Sequence, residues 1–477
     1  MRQKNVRRFL QLFSVVVLWF SVGDLKAQAA RGAAPWRAAA AFSVITPSRP
    51  MWMAGYAARK RPSRGKVQDL FAKALVLEDR EGNRVAICTL DLIGFSREFR
   101  GKVARQLQER YGIAPQNFLL SASHTHCGPE LRTSKAALGQ WSEKRLRQTL
   151  AYRAWLREKI CETVGKALRN LEPVRLRYTH ARAGFAMNRR LKTERGFIIA
   201  PNPDGPVDHD VPVLRVDTPE GNLKAVLFSY ACHNTTLSFY KFCGDYAGYA
   251  QQYVQEAHPE AVALFMSGCA GDQNPYPRRK LRLAKQHGRS LANAVEAALL
   301  APGREVRGPL RTVLKQFEIP FGPPPSKEEL TEQLSSQNPY QRKRASVLLE
   351  ELERKGRLAE SYPYLVQAMQ FGKDLTLLAL AGEVVVEYSL ALKTEFSGAP
   401  LWVVAYTNDV FGYVPTAKQL EEGGYEPIFS LVYYSTLPAP FAPSVEKRIL
   451  SETTKLVREL RSGVRSHASS AEKSSGR

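Results

Sequence analysis

His124 and His126 stand two residues apart just after an apolar run, Phe118 to Ala122, and His233 follows another, Ala225 to Ala231. Imidazole is the commonest protein ligand for transition metals. In an extended chain residues i and i+2 leave on one face, so the first pair would present two nitrogens together. The pattern recurs three more times. Gly271, Asp272, Gln273 and Asn274 follow Ala261 to Met266; Gly382 and Glu383 follow Leu375 to Leu380; Asn408 and Asp409 follow Leu401 to Tyr406. Any one such histidine could be a hydrogen-bonded structural residue. Five successive apolar runs ending in ligand-capable groups argue for one site, because open α/β sheets gather their ligands outside the carboxyl ends of the strands. Two imidazoles with the Glu383 carboxylate would make the three-ligand set of a catalytic zinc that keeps a position open for water.

Competing chemistries lack their signatures. The chain has no GxSxG elbow, HExxH helix, GxxxxGK[ST] loop or GxGxxG turn, which removes the serine-hydrolase, zincin, P-loop and dinucleotide readings. The six cysteines include no CxxC pair, so cysteine zinc fingers are excluded. Cys127 adjoins His126, but neighbouring residues on a strand face opposite ways. Cys127 and Cys232 are therefore expected behind the site, or in a disulfide that spacing cannot assign.

The elements that must position these side chains read as an α/β domain: a layered mixed β-sheet core flanked by helices, with the metal site at strand carboxyl ends. Strands are expected at the five runs above and at Val85 to Ile93; helices over 97–110, 142–170, 246–256 and 281–300. In the second of these, Leu156, Ile160, Val164 and Leu168 recur every four residues beneath a charged face, the pattern of a single buried stripe. A stretch from Pro323 to Gly356 opens on three prolines and continues as charged helix, which reads as a surface excursion. No internal repeat is found.

Lysine and arginine total 69 against 45 acidic residues, a net charge of +24, with 44% hydrophobic residues over 477 positions. That is a globular composition with length for a large core. Arg2, Lys4, Arg7 and Arg8 precede an apolar stretch, Phe9 to Val22, followed by small residues at Ala27 to Ala29, the layout of a cleavable signal peptide over residues 1–29. Gln11 interrupts the stretch, which is shorter than the ~20 residues of a membrane span. The first cysteine, Cys88, lies too far downstream for a lipoprotein anchor. Export to the periplasm or medium, with +20 remaining, directs the basic surface toward anionic lipid or polysaccharide, and no nucleic-acid partner is expected. The domain is expected over 30–461, and the serine-rich 462–477 reads as a disordered tail.

Ser123-His124-Thr125-His126-Cys127-Gly128-Pro129, Ala231 to Thr236, Gly271-Asp272 with Pro275, Ala381-Gly382-Glu383 and Asn408 to Thr416 occur in the order and approximate spacing of the neutral, non-lysosomal ceramidases. Met51 to Tyr56 and Asn188-Arg189 also look like segments of that family, and the chain resembles its catalytic domain from about Ala41 to Leu460. The resemblance implies zinc held by His124, His233, Glu383 and Tyr413, with His126, Arg189 and Tyr425 around the scissile amide of a lipid or amphiphilic substrate. Asp245 and Asp272 are candidates to receive the outer N–H of the metal-bound imidazoles, a role a carbonyl can also fill. Two departures stand out. Asn274 occupies the position of the serine implicated in the family's catalysis; it cannot be a nucleophile, although its amide could donate to an oxyanion. Longer members also continue into an immunoglobulin-like domain, and this chain ends before one. The sequence therefore predicts an exported zinc-dependent amidohydrolase of ceramidase type, with a diverged zinc-binding protein that binds lipid or polysaccharide on the same fold as the rival.

Overall fold

The computed structural model describes residues 36–463 except Gly139, Gln140 and Ser435. The expected signal peptide and residues 464–477 of the expected tail lie outside the described residues. Two sheets form the centre. The larger runs β10 (Val262–Ser267), β9 (Leu223–Tyr230), β8 (Asp210–Asp217), β5 (Glu172–Arg182), β1 (Trp36–Val44), β2 (Phe71–Asp79), β3 (Arg84–Leu90), β4 (Phe118–Ala122), with β12 (Arg304–Val306) also on β5. Its two outermost pairs, β10 with β9 and β3 with β4, are parallel; the pairs between them are antiparallel. The second sheet runs β13 (Leu310–Pro320), β14 (Ser361–Phe371), β15 (Leu375–Leu380), β17 (Leu401–Val404).

One face of each sheet meets the other in a shared apolar layer where Leu75, Ile87, Leu119, Leu227 and Met266 pack with Met369, Leu377, Trp402 and Val404. Helices cover the outer faces. Arg97–Tyr111 and Glu143–Arg169 lie over β1 to β4, Asp245–Ala257 and Leu281–Leu300 over β8 to β10, and Val386–Glu395 and Ser444–Ser462 over the second sheet. The first of these shows how sequence sets an element. Ser96 accepts from Phe99 N, Phe99, Val103 and Leu107 form the buried stripe, and Gly112 ends the helix at φ +69°, where a residue without Cβ is favoured. Among the described residues no helix is long and apolar enough to cross a membrane.

Near the site the sheets are spliced together. Ala122 N donates to Tyr406 O, Asn408 N to Leu120 O, and Ala405 N to Ser267 O, so both edge strands of the larger sheet, β4 and β10, bond one segment of the second half. Two small elements complete the region: a ribbon of β11 (Gln273–Pro275), β6 (Ala186–Thr193) and β7 (Gly196–Asn202), and a two-residue parallel pair, β16 (Glu383–Val384) with β18 (Tyr413–Val414). The proline-led excursion forms helices Lys327–Gln333 and Pro339–Lys355 around a small core of Leu330, Ala345, Leu348 and Leu358. It is more than a surface excursion: Tyr340 OH donates to Ala57 O at 3.2 Å, and its ring lies 5.0 Å from that of Tyr433.

Candidate metal centre

β4 ends at Ala122, and the chain turns through a left-handed residue, His124, at φ +59°. This corrects the expectation of an extended His124 to His126 pair: a turn, not the two-residue strand repeat, brings their Nε2 atoms to 3.3 Å. A non-glycine residue in that conformation is strained by roughly 1–3 kcal/mol, and such strain concentrates at functional sites. His124 Nδ1 lies 2.6 Å from Ile93 O and His233 Nδ1 2.5 Å from Ala270 O. A carbonyl can only accept, so both Nδ1 atoms hold the proton and both Nε2 atoms present a lone pair inward.

The carboxylate arrives from the other sheet. Gly382 sits at φ +85°, where a Cβ would lie 2.8 Å from Val414 Cγ2, and the turn it permits starts β16. The β16 to β18 register sets Glu383 opposite Tyr413. Glu383 Oε2 stands 3.2 Å from His124 Nε2 and 3.4 Å from His233 Nε2, while Oε1 accepts from Tyr434 OH at 3.1 Å. Both Glu383 Oε2 and His233 Nε2 are buried without an aligned hydrogen bond. The donor nitrogens of His124, His126 and His233 all fall within 4.8 Å of one another. Buried donors of this chemistry, converging and unsatisfied, fit a cation such as zinc.

The electrostatics keep the His126 and His233 imidazoles neutral and the Glu383 carboxylate ionised. Burial, aided by the Arg189 guanidinium, pulls His233 down to about 3. Burial and the two neighbouring imidazoles hold His126 well below its usual range. At Glu383 burial opposes ionisation, but His124 and His233 outweigh it and the carboxyl stays well below the ordinary range. Burial and Glu383 push the Tyr413 phenol up, opposed by Arg189.

Tyr413 and Tyr425 border the same space, with ring centroids 5.6 Å apart. Arg189 lies behind them: Nη2 donates to Tyr413 OH at 3.1 Å, and Nε donates to Glu426 Oε1 at 2.8 Å. Asn274 lies deeper still, its Oδ1 accepting from Thr235 Oγ1 at 3.0 Å and from Arg189 Nη1 at 3.4 Å. Asp272 and Asp245 brace the scaffold, and Asp272 also accepts from the Gln273 and Gln419 side-chain amides at 3.0 and 3.2 Å. Asp272 Oδ1 accepts from Val386 N at 3.0 Å, at the start of a helix, and Asp245 from Leu237 N at 2.8 Å and Tyr246 N at 2.6 Å. The outer N–H groups of His124 and His233 go to carbonyls. Asn408 and Asp409 likewise hold the scaffold, bonding Gln367 and Arg100, and Arg97 N and Tyr362. All six cysteines are buried and free, and burial pushes the Cys127 and Cys232 thiols far up, against a thiolate nucleophile.

A cavity of about 460 Å³ opens over the imidazoles, with His124, His126, Glu383, Tyr413 and Tyr425 at its floor and Trp52, Trp141, Tyr340 and Tyr433 in its walls. Gly55 makes room for the His126 ring; a Cβ there would stand 2.3 Å from Nδ1. Motif spacing missed several contributors. The Ile93 and Ala270 carbonyls have no side-chain signature, and Tyr434 and Glu426 were visible only as neighbours of other aromatic positions.

Residues 43–279 match the sequence profile of the neutral/alkaline non-lysosomal ceramidase N-terminal region. The chain belongs to the neutral ceramidase family. Neutral ceramidase A of Dictyostelium discoideum is 26% identical over 265 residues, covering 50% of this chain and 35% of that protein. The Drosophila melanogaster neutral ceramidase is 39% identical over 77 residues, 16% of this chain and 11% of the other. The matches thus span about a third or less of these relatives' length. The crystal structure of the Pseudomonas aeruginosa neutral ceramidase superposes with a TM-score of 0.70 at 20% identity, over 90% of this chain and 75% of that one. A ceramidase described as complexed with C2 gives 0.69 at 19% identity, over 90% and 76%. These structures share the neutral ceramidase fold with the layered arrangement above.

Proposed function

We infer that this chain is an exported, zinc-dependent amidohydrolase that cleaves the N-acyl bond of ceramide or of a related amphiphilic amide. The observation that supports it most is the pair of buried, unsatisfied atoms on His233 and Glu383, converging with His124 where His124 and Glu383 line an aromatic-walled cavity, in a chain of the ceramidase family. His124, His233, Glu383 and Tyr413 would hold the metal, with His126 adjoining. A bound zinc ion supplies Lewis acidity, which activates water and polarises an amide carbonyl.

The chain's own residues account for the rest. His126 is neutral, so its free nitrogen can take a proton from attacking water and return it to the leaving amine. The Tyr425 hydroxyl borders the cavity, placed to donate to the carbonyl oxygen as charge develops there. Arg189 fixes the Tyr413 oxygen, and Asn274 fixes Arg189. Since Asn274 offers no nucleophile, water adds across the C–N bond directly, giving fatty acid and amine with no acyl-enzyme; mass-spectrometric capture of a covalent acyl adduct would overturn that step. Export rests on the basic and apolar pattern of residues 1–29, and the +20 charge that remains after their removal favours anionic bilayers as the place where substrate is met.

The test combines metal analysis with hydrolysis of ceramide and other N-acyl lipids by mature protein. About one zinc per chain is expected, lost in His124→Ala and His233→Ala together with turnover. Full zinc in both variants would refute the ligand set. Stoichiometric zinc without cleavage of any amide would favour a diverged binding protein.

A further inference from the structure

The cavity is more cationic than a neutral amide requires. Four basic side chains line it, and the terminal nitrogens of two are taken up by protein acceptors. Arg132 forms a two-point ion pair with Glu130, at 2.9 Å on both arms. Arg59 donates to the carbonyls of Ala54, His126 and Phe239. The other two, Lys135 and Arg145, have no carboxylate within 4 Å among the described residues. Arg145 lies between two indoles, 3.9 Å from the Trp141 centroid and 4.4 Å from that of Trp52, and its Nε is buried without a hydrogen-bond partner. The Lys135 ammonium stands 4.9 Å over the Tyr434 ring, and Tyr434 in turn donates to Glu383. One aromatic side chain therefore separates a free ammonium from the metal floor.

We propose that Lys135 and Arg145 select an amphiphilic amide whose head carries an anion, a carboxylate or a phosphate, seated in the cavity beside the metal floor. The proposal rests on the amidohydrolase reading and narrows its substrate. Indole faces hold the Arg145 plane in place without neutralising it, which leaves its N–H edge for an oxyanion. A partly desolvated ammonium next to aromatic walls attracts an anion far more strongly than one in water. Burial and the Arg132 charge hold Lys135 at about 8, so the group is cationic at neutral pH. Ceramide, which has no charge, would leave both cations without a partner.

The test compares three monomeric substrates below their micelle concentrations, so that bilayer charge plays no part: N-dodecanoylglycine, N-dodecanoylethanolamine phosphate and neutral N-dodecanoylethanolamine. At least one anionic amide should exceed the neutral one about tenfold or more in kcat/KM, as a charge-assisted contact predicts, and the two anionic arms tell carboxylate from phosphate. Lys135→Gln and Arg145→Gln should narrow the ratio, whereas Lys285→Gln, which removes the same charge outside the cavity, should not. Equal rates on all three would overturn the inference and leave the amidohydrolase reading intact. If none is cleaved, ceramide hydrolysis decides the amidohydrolase reading and calorimetric binding of the same three amides decides the inference: tighter binding of an anionic one, weakened by Lys135→Gln, supports it, and equal binding refutes it.

Discussion

The metal floor and the layer behind it bury ionisable groups to a similar depth, yet they are wired in opposite ways. Behind the floor, Glu426 accepts from Arg189 Nε and Arg190 Nη1, both at 2.8 Å, and Arg190 also reaches Glu422 at 3.1 Å. On the floor, the Glu383 and His233 atoms that face each other remain unsatisfied. An unpaired polar group inside a protein costs on the order of 1–3 kcal/mol, so a cluster of them has to be offset by what it binds. The contrast separates residues that position from residues that would coordinate.

Glu383→Ala tests the floor most severely: loss of zinc and a fall in hydrolysis of about 1000-fold or more, equal to roughly 4 kcal/mol of barrier, measured by metal analysis and initial rates. Glu426→Gln should do the reverse, leaving two buried guanidinium groups short of counter-charge and costing about 3–5 kcal/mol in urea unfolding while the zinc content holds. If zinc were lost from this variant at full stability, the division between the two regions would be false. The Glu130 to Arg132 pair sharpens it through pH. Burial opposes ionisation of Glu130, but Arg132 outweighs it and the carboxyl falls to about 2. Its stabilisation, about 3 kcal/mol at most, is therefore complete above the ordinary glutamate range near 4.5 and disappears as pH falls through about 2; Glu130→Gln should flatten that acid limb in unfolding titrations. Gly55→Ala, strained at φ +96° and crowding His126, should cost about 1–3 kcal/mol, seen as lower kcat with zinc retained. The smallest effect concerns the surface. Any preference for anionic vesicles should shrink as salt shortens the screening length to ~8 Å, and a rate indifferent to both lipid charge and salt would remove the membrane claim.

The floor was legible in the sequence because its residues stand at the ends of uniformly apolar strands. Phe118–Ala122 and Leu375–Leu380 match the expected runs and lead to His124 and Glu383, and Leu223–Tyr230, which overlaps the expected Ala225 to Ala231, leads to His233. Strands with one wet face were invisible: β5, EPVRLRYTHAR, alternates arginines with buried Val174 and Leu176, and its charged positions mask the period. The cavity wall was unreadable for another reason. Trp141 comes from a loop, Tyr340 from the start of the helix Pro339–Lys355 and Tyr433 from a short helical turn, and nothing local in their sequence indicates that they meet.

The splice between the sheets gives the donor set an unusual assembly. His124 and His233 belong to the first half of the chain, within the segment matched by the family profile, whereas Glu383 and Tyr413 follow strands of the second. Neither half holds all four candidate ligands. The loop 405–408 must add to β4 and β10 before a carboxylate can meet the imidazoles. Tight metal uptake would thus report that the final third of the polypeptide has docked, and a chain interrupted before residue 383 would carry three imidazoles with no carboxylate to close the ring of donors.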